Sequence, residues 1–388
     1  MLDAATGFAG VAAPQDENSP LAAIKPFLKW PGGKESELGL LLPFFPKNID
    51  CYFEPFLGGG AAYFAAPARR FVVNDRSEDL MALYGFIQSV NTDFFTQLEA
   101  LSQVWDTTAQ VQPVDAAQLL KAVVTPGALL ALVQRPLSAV LQAAGVPGLA
   151  DDATYERTMV EALKRKLKLV ESTQDADGAA MALQTAMKAA IYLLVRRAYN
   201  AARCAGELTT TRAVGFFFLR EFCYSSMFRF SSKGEFNVPF GGYSYGRKSL
   251  ATKIAAMRST PVAQRFARTS FHCGDFGTML DQETPGVDDF IFVDPPYDSV
   301  FSTYDNNAFE GSDQERLANA LKATKARFML VVKNTPLMQA LYADSGLHLL
   351  TYDMQYSVSF MNRNDRDVEH LMVLNYEPPA QLINRAKA

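Results

Sequence analysis

Asp289-Phe290-Ile291-Phe292-Val293-Asp294-Pro295-Pro296-Tyr297 is the stretch that decides how this chain is read. Phe290 to Val293 is a continuous apolar run, the pattern of a parallel strand buried on both faces. A carboxylate, two prolines and an aromatic ring follow it. Two prolines cannot continue a strand ladder, so the chain must leave the sheet stiffly at the strand's carboxyl end. In open α/β sheets that edge is where ligands bind. A rigid turn offering an Asp acceptor, a proline carbonyl and a tyrosine face suits a flat heterocycle with an exocyclic amine. The ring would stack on Tyr297, and the two amine hydrogens would go to Asp294 and the Pro295 carbonyl. The plainer reading is a strand-to-loop turn with a solvated aspartate.

Other segments bear on that choice. Tyr52-Phe53 begins a strand that runs into Glu54-Pro55-Phe56-Leu57-Gly58-Gly59-Gly60, and Ala61 to Ala66 reads as a helix. A glycine cluster after a strand lets a ligand approach the backbone closely. Its spacing is not that of a dinucleotide fold. Phe71 to Asn74 reads as the next strand and ends in Asp75, seventeen residues after Gly58. From that place a carboxylate reaches ribose hydroxyls. No phosphate-cradling Lys-Ser or Lys-Thr loop occurs, so a nucleoside without a triphosphate fits better. Ahead of these lies Phe27-Leu28-Lys29-Trp30-Pro31-Gly32-Gly33-Lys34, in which Lys34 could bind the carboxylate of an amino-acid-bearing nucleoside such as S-adenosylmethionine.

The chain's 388 residues suffice for one large α/β domain and a smaller domain or insertion. Net charge is −4, yet from Arg212 to Arg268 ten Lys or Arg face two acids, Glu221 and Glu235, among interleaved Phe and Tyr. That is the footprint expected of a phosphate-contacting surface. Four cysteines and three histidines lack metal-ligand spacing, so no metal is expected. A reducing cytoplasm is the natural compartment. Stretches such as Ala189 to Val195 read as too short for a membrane span.

The expected organisation is a mobile tail over 1–24, a catalytic domain over 25–105 and 265–378, a helical insertion with a target-reading region over 106–264, and a C-terminal tail over 379–388. The reading loop is placed at about 211–248. Helices are expected at Leu38 to Leu42, Asp79 to Val90 and Asp313 to Ala323, the last capped by Ser312. The stretch 91–210 reads as helical, with loops near Pro126-Gly127, Gly145 to Gly148 and Asp175 to Gly178. Lys164 to Lys168 reads as a solvated helix face. Further strands are expected at Thr269 to His272, Arg327 to Val332, Leu347 to Tyr352 and Glu369 to Asn375.

Taken in order, Phe27 to Lys34, Glu54 to Gly60, Asn74-Asp75, Arg229-Phe230-Ser231-Ser232-Lys233-Gly234-Glu235-Phe236-Asn237-Val238-Pro239-Phe240-Gly241 and Asp294 to Tyr297 resemble the motifs of the Dam-like, alpha-group DNA adenine-N6 methyltransferases. Val368 to Tyr376 looks like that family's closing strand. The likeness covers about 25–105 and 190–376. It implies a Rossmann-like methyltransferase domain that uses S-adenosylmethionine and acts on double-stranded DNA. It further implies that Trp30, Lys34, Glu54, Phe56, Gly58, Gly60, Asp75, Asp275, Phe276 and Asp294 hold the cofactor. Asp294, Pro295, Pro296 and Tyr297 would hold the target adenine. Lys29, Tyr224, Ser225, Met227, Arg229, Asn237 and Pro239 would lie on the DNA, with Arg229 reading a guanine. The family's loop carries Asn and a small apolar residue where this chain has Ser225 and Met227, which bears on the exact site read; the family's usual target is GATC or a relative. A restriction endonuclease partner is compatible with the resemblance, and the motifs do not fix an oligomeric state.

Adenine N6 is a poor nucleophile because its lone pair is delocalised into the ring. Accepting both N–H bonds favours a pyramidal, electron-rich nitrogen, which is transition-state stabilisation by placed acceptors. Two other readings stand beside this one. One is methylation of cytosine N4, RNA adenine or a protein glutamine, whose families more often carry Ser or Asn in place of Asp294. The other is a catalytically silent DNA-binding protein.

Overall fold

A computed structural model of the chain describes residues 21–30, 32–110, 116–125, 128, 152–165, 176–296, 309–343, 346–355 and 367–383. Its strands are β1 (Cys51–Glu54), β2 (Arg70–Asp75), β3 (Thr269–Cys273), β4 (Phe290–Val293), β5 (Arg327–Lys333), β6 (His348–Gln355) and β7 (Asp367–Leu374). They form one seven-stranded sheet in the order β3-β2-β1-β4-β5-β7-β6. The five from β3 to β5 are parallel, and β7 runs antiparallel between β5 and β6.

Every residue of β1 and β4 is buried, as their unbroken apolar runs require of strands covered on both faces. Alternation then divides them between two layers. Tyr52, Phe71, Phe290 and Phe292 join the large core beneath the N-terminal and helical segments. Phe53, Val72, Ile291 and Val293 pack with Met279, Leu317, Met338 and Tyr342 on the other side. Strand order reverses about β1, which has β2 on one flank and β4 on the other. The carboxyl ends of these strands therefore border the crevice where open α/β sheets take their ligands.

The helical region is built on Thr92–Thr107, Ala116–Val124, Asp152–Lys164, Ala176–Cys204 and Thr210–Phe222. Its link to the sheet domain is polar and buried. Asp79, on the helix Glu78–Gln88, accepts from Arg212 Nε at 2.6 Å, Arg203 Nη1 at 2.9 Å and the Tyr199 hydroxyl at 2.8 Å. Trp105 packs edge-on against Phe218 and donates Nε1–H to the Lys248 carbonyl at 3.0 Å.

Several sequence expectations are corrected here. Of the loop expected at Asp175 to Gly178, Ala176 to Gly178 form the first turn of the helix Ala176–Cys204, and Asp175 lies outside the described residues. Gly costs a helix about 1 kcal/mol relative to Ala, and the buried Ala179, Leu183, Ala186 and Met187 that follow outweigh it. The first part of the expected reading loop, up to Phe222, is a helix buried from Arg212 onward and capped by Thr209. The helix Gly311–Ala323 takes Glu310, not Ser312, as its cap, in a reciprocal capping box with Asp313. Residues 21–24 belong to the fold, because Leu21 is buried and Ile24 N–H donates to the Phe64 carbonyl at 2.8 Å. Ala380–Ile383 is a short helix with Leu382 buried. Asp177–Cys204 is long and apolar enough to cross a membrane, contrary to the expectation from shorter windows, but 72% of its apolar window is buried inside the protein. The expected basic surface is also smaller than the sequence implied. Arg212, Arg220 and Arg265 are buried, and Arg265 donates to the Tyr63, Ala66 and Ala22 carbonyls. Lys164 and Arg165 are exposed as expected, whereas Lys166 to Lys168, Pro126-Gly127 and Gly145 to Gly148 lie outside the described residues.

Candidate active site

The loops that follow β1, β2, β3 and β4 converge at the sheet's carboxyl edge. After β1, Gly58 and Gly60 adopt φ of +50° and +70°, conformations that favour glycine. The loop has no room for side chains, since a Cβ on Gly58 or Gly59 would stand 2.9 Å from Trp30. Asp75, at the end of β2, holds this loop by accepting from Gly58 N–H and Ser77 N–H, each at 2.9 Å. The neighbouring Asn74 is buried and donates to the Pro55 and Gly274 carbonyls at 3.0 and 3.1 Å, which ties the loops after β1 and β3 to β2. Asn74 and Asp75 thus act as a clamp.

After β3, Asp275 caps the helix Phe276–Glu283 and accepts from Gly277 N–H at 2.9 Å and Arg316 Nη2 at 2.6 Å. Burial works to raise the Asp275 pKa, but Arg316 and the helix N–H groups outweigh it and hold it below the usual range. Phe56, Phe276 and Phe309 form an aromatic cluster, with ring centroids 5.3 Å apart for Phe56–Phe276 and 5.4 Å for Phe56–Phe309. Glu54 is buried at the end of β1, where its carboxylate accepts from the Tyr52 hydroxyl at 2.7 Å. Burial drives its pKa well above the usual carboxylate range, and the charges of Asp294 and Asp75 push the same way.

Asp294 leaves the end of β4 with its side chain 18% exposed, and Nζ of Lys34, whose side chain is only 2% exposed, lies 2.8 Å from its Oδ1. Burial raises the Asp294 pKa above the ordinary value despite the pull of Lys34. Pro295 is buried and Pro296 exposed. The Pro296 carbonyl accepts from the buried Gln314 amide at 3.4 Å, which ties the turn to the helix Gly311–Ala323. Tyr297 and Pro31 lie outside the described residues.

All the residues expected on DNA except Lys29 lie on a separate loop. From Arg229 to Asn237 the chain forms a hairpin, with Asn237 N–H donating to the Arg229 carbonyl at 3.3 Å and Gly234 at φ +76° in its turn. Arg229 Nε donates to Asn237 Oδ1 at 3.2 Å, and both side chains are exposed. Tyr224, 52% exposed, precedes Ser225 at φ +54° and Ser226 at φ +53°. Asn tolerates this left-handed region better than Ser does, so Ser225 holds its backbone conformation with strain. Tyr224 N–H donates to the Pro239 carbonyl at 2.9 Å, and Met227 is partly buried against the core. Arg220 joins this loop to the other site, its guanidinium 3.9 Å from the Trp30 ring centroid and 4.5 Å from that of Phe228. Lys29 is exposed beside Trp30. Burial lowers the Lys248 pKa, and the charge of Lys29 adds to the shift.

Sequence reasoning missed Glu37, Tyr352, His370, Gln314 and Arg316. The only local signal was Glu37, three residues after Lys34. The others come from distant segments that only the fold brings near.

The sequence pattern of the family described as D12 class N6 adenine-specific DNA methyltransferase matches residues 30–110 and 154–358. The chain is 24% identical over 375 residues to the Type II methyltransferase M.MjaIII of Methanocaldococcus jannaschii, covering 91% of this chain and 99% of that protein. It is 24% identical over 362 residues to the Type II methyltransferase M.CviBI of Paramecium bursaria Chlorella virus NC1A, covering 91% and 100%. It is 22% identical over 361 residues to the DNA adenine methylase of Salmonella typhi, covering 91% and 95%. With most of the chain matched, and with the Asp294 turn, the glycine loop and Asp75 at one sheet edge, this chain belongs to the D12 class N6 adenine-specific DNA methyltransferases.

Proposed function

We propose that this enzyme takes its methyl group from S-adenosylmethionine and places it on N6 of an adenine extruded from a short double-stranded site. The observation that carries the assignment of roles is Asp294, a largely buried carboxylate at the end of β4 beside the strand-order reversal, paired with Lys34 at 2.8 Å. The residues fit the cofactor. Trp30 packs directly on the tight glycine loop, Asp75 at the end of β2 would take the ribose hydroxyls, and the Phe56–Phe276–Phe309 cluster would offer apolar faces to an adenine ring. Lys34 would take the cofactor carboxylate by sharing or releasing Asp294.

When bound, S-adenosylmethionine supplies a sulfonium methyl that is already activated. The chain's own residues then have two tasks. Asp294 and the Pro295 carbonyl would accept hydrogen bonds from the two N6 hydrogens and concentrate electron density on the nitrogen, and the one proton that N6 loses as the new N–C bond forms and the sulfur–methyl bond breaks would leave by way of Asp294 to water. The fixed proline turn, tied to Gln314, holds N6 in line with the methyl group. Extrusion of the base costs a few kcal/mol, offset by stacking on Tyr297 and contacts around it. The sheet domain, 25–105 with 265–378, is Rossmann-like and carries the chemistry. Within 106–264, the loop Tyr224 to Pro239 reads DNA, with Arg229 on a guanine and Ser225, Met227 and Asn237 beside it, while Lys29 of the sheet domain also contacts DNA. The site is a short palindrome related to GATC.

Incubation with S-adenosylmethionine and duplex DNA, followed by digestion to nucleosides, gives N6-methyldeoxyadenosine under this reading. N4-methyldeoxycytidine as the product, or methyl transfer to RNA alone, would overturn it.

A further inference from the structure

Lys34 does not belong to Asp294 alone. Its ammonium also lies 3.8 Å from Glu37 Oε1, and both side chains are almost fully buried. The other oxygen of Glu37 is gripped from across the sheet. Tyr352 donates its hydroxyl to Glu37 Oε2 at 2.6 Å, and His370 Nδ1 lies 3.0 Å from the same oxygen. Tyr352 on β6 and His370 on β7 are cross-strand partners, and Tyr352 Oη is also 3.2 Å from His370 Nδ1. A rigid antiparallel pair thus fixes Glu37, Glu37 flanks Lys34, and Lys34 flanks the acceptor carboxylate. No described residue of this chain touching Glu37 is needed for the reaction as written above except Lys34.

Resting on the proposed function, we infer that Glu37, fixed by Tyr352 and His370, is a positioning residue that keeps Lys34 charged and aimed, so that Lys34 can pass from Asp294 to the cofactor carboxylate. The physical reason is a partner change in a dry site. A buried ammonium tends to lose its proton unless a carboxylate stays beside it. When Asp294 turns to the adenine amine, Glu37 remains as that second carboxylate. The hydrogen bonds and charges on Glu37 suit this duty. Burial works to raise its pKa, but His370, Lys34 and Tyr352 outweigh that and hold it below the usual value. Charged or titratable neighbours of Asp294 are Lys34, Glu37, His370, Glu54 and Tyr52. Of these, Glu37 raises the Asp294 pKa. Removing its charge while the Lys34 ammonium stays in place therefore moves the acid limb of turnover to lower pH.

The test compares the full-length wild type with Glu37→Gln and Tyr352→Phe. Gln keeps the shape and the acceptor oxygen for Tyr352 and His370 but carries no charge, so a merely structural role would tolerate it. Expected for Glu37→Gln is roughly ten-fold or greater weakening of S-adenosylmethionine binding by calorimetry, the loss of a charge-assisted contact, with an acid limb of kcat shifted downward. Tyr352→Phe removes one hydroxyl, keeps every charge, and should weaken cofactor binding by a smaller factor; it carries the test if Glu37→Gln does not fold. Wild-type affinity and an unmoved acid limb in Glu37→Gln, or wild-type affinity in Tyr352→Phe where the first variant is unfolded, would overturn the inference while leaving the proposed function standing. A wild type that binds no S-adenosylmethionine would overturn both.

Discussion

Replacing Asp79 with Ala should cost this protein more stability than any exposed ion pair could supply. Asp79 is buried where the sheet domain meets the helical region, and three donors converge on it. The three do not lose equally. Arg203 is 27% exposed and turns to water with little penalty. Tyr199 is buried and loses one acceptor, about 1–3 kcal/mol if nothing replaces it. Arg212 is the large loss, because its side chain is 4% exposed and its remaining carboxylate, Glu78, sits 3.4 Å away and largely in solvent. Stranding one member of a buried pair costs about 3–5 kcal/mol, so Arg212 decides the total. Urea unfolding followed by circular dichroism, with the helical and sheet regions tracked separately, measures it. Adding Arg212→Met to an Asp79→Leu chain should recover most of the loss, since an apolar pair of similar volume often replaces a buried ion pair without penalty. A loss below about 1 kcal/mol, the scale of an exposed pair, would refute the view that this contact holds the two regions together.

Asp75→Ala should weaken S-adenosylmethionine binding about ten- to hundred-fold, measured by calorimetry, because it removes a carboxylate whose hydrogen bonds contribute about 1.5–3 kcal/mol each and frees the Gly58 loop. Turnover should fail on the acid side at a higher pH than an ordinary carboxylate would dictate. Asp294 must be ionised to accept, burial raises its folded pKa, and activity is therefore present above that raised pKa and lost as pH falls through it; a pH–kcat profile flat down to the ordinary Asp value of about 3.9 would contradict this. Arg229→Ala should cost about 1–3 kcal/mol of discrimination at one guanine, and Asn237→Ala, which removes the Arg229 partner, should relax the same position less; methylation of a site library reads both. Lys248→Ala should weaken binding to all sequences alike and lower its salt dependence, whereas selectivity for one base would show a different role.

The sheet edge that gathers Asp294, the glycine loop and Asp75 was legible because its signals are local. An apolar run ending in Asp294-Pro295-Pro296 reads as a buried strand leaving a sheet, and β1 and β2 announced themselves by short apolar runs followed by Gly58 and Asp75. The basic segment was misjudged because composition does not tell where a guanidinium points. Arg212, Arg220 and Arg265 spend their charges inside the protein, on Asp79, on aromatic faces and on carbonyls. The run Gly215-Phe216-Phe217-Phe218 lies in an aromatic, basic segment read as a loop, yet it forms a helix buried all round, which carries no polar stripe. The Glu37 cluster was invisible because its members come from the first turn after Lys34 and from two strands more than three hundred residues away. Spacing along the chain carries no trace of such a contact.

The measurement that bears most directly on the account is single-turnover methylation of duplex DNA by Asp294→Ala beside the wild type, with S-adenosylmethionine binding measured on the same samples. Loss of a placed acceptor used only as charge develops predicts a fall of about 10²–10³-fold in the rate of the chemical step, with the cofactor still bound and N6-methyldeoxyadenosine still the product of what remains. A variant that binds cofactor and methylates adenine at the wild-type rate would contradict the assignment of Asp294 as the acceptor.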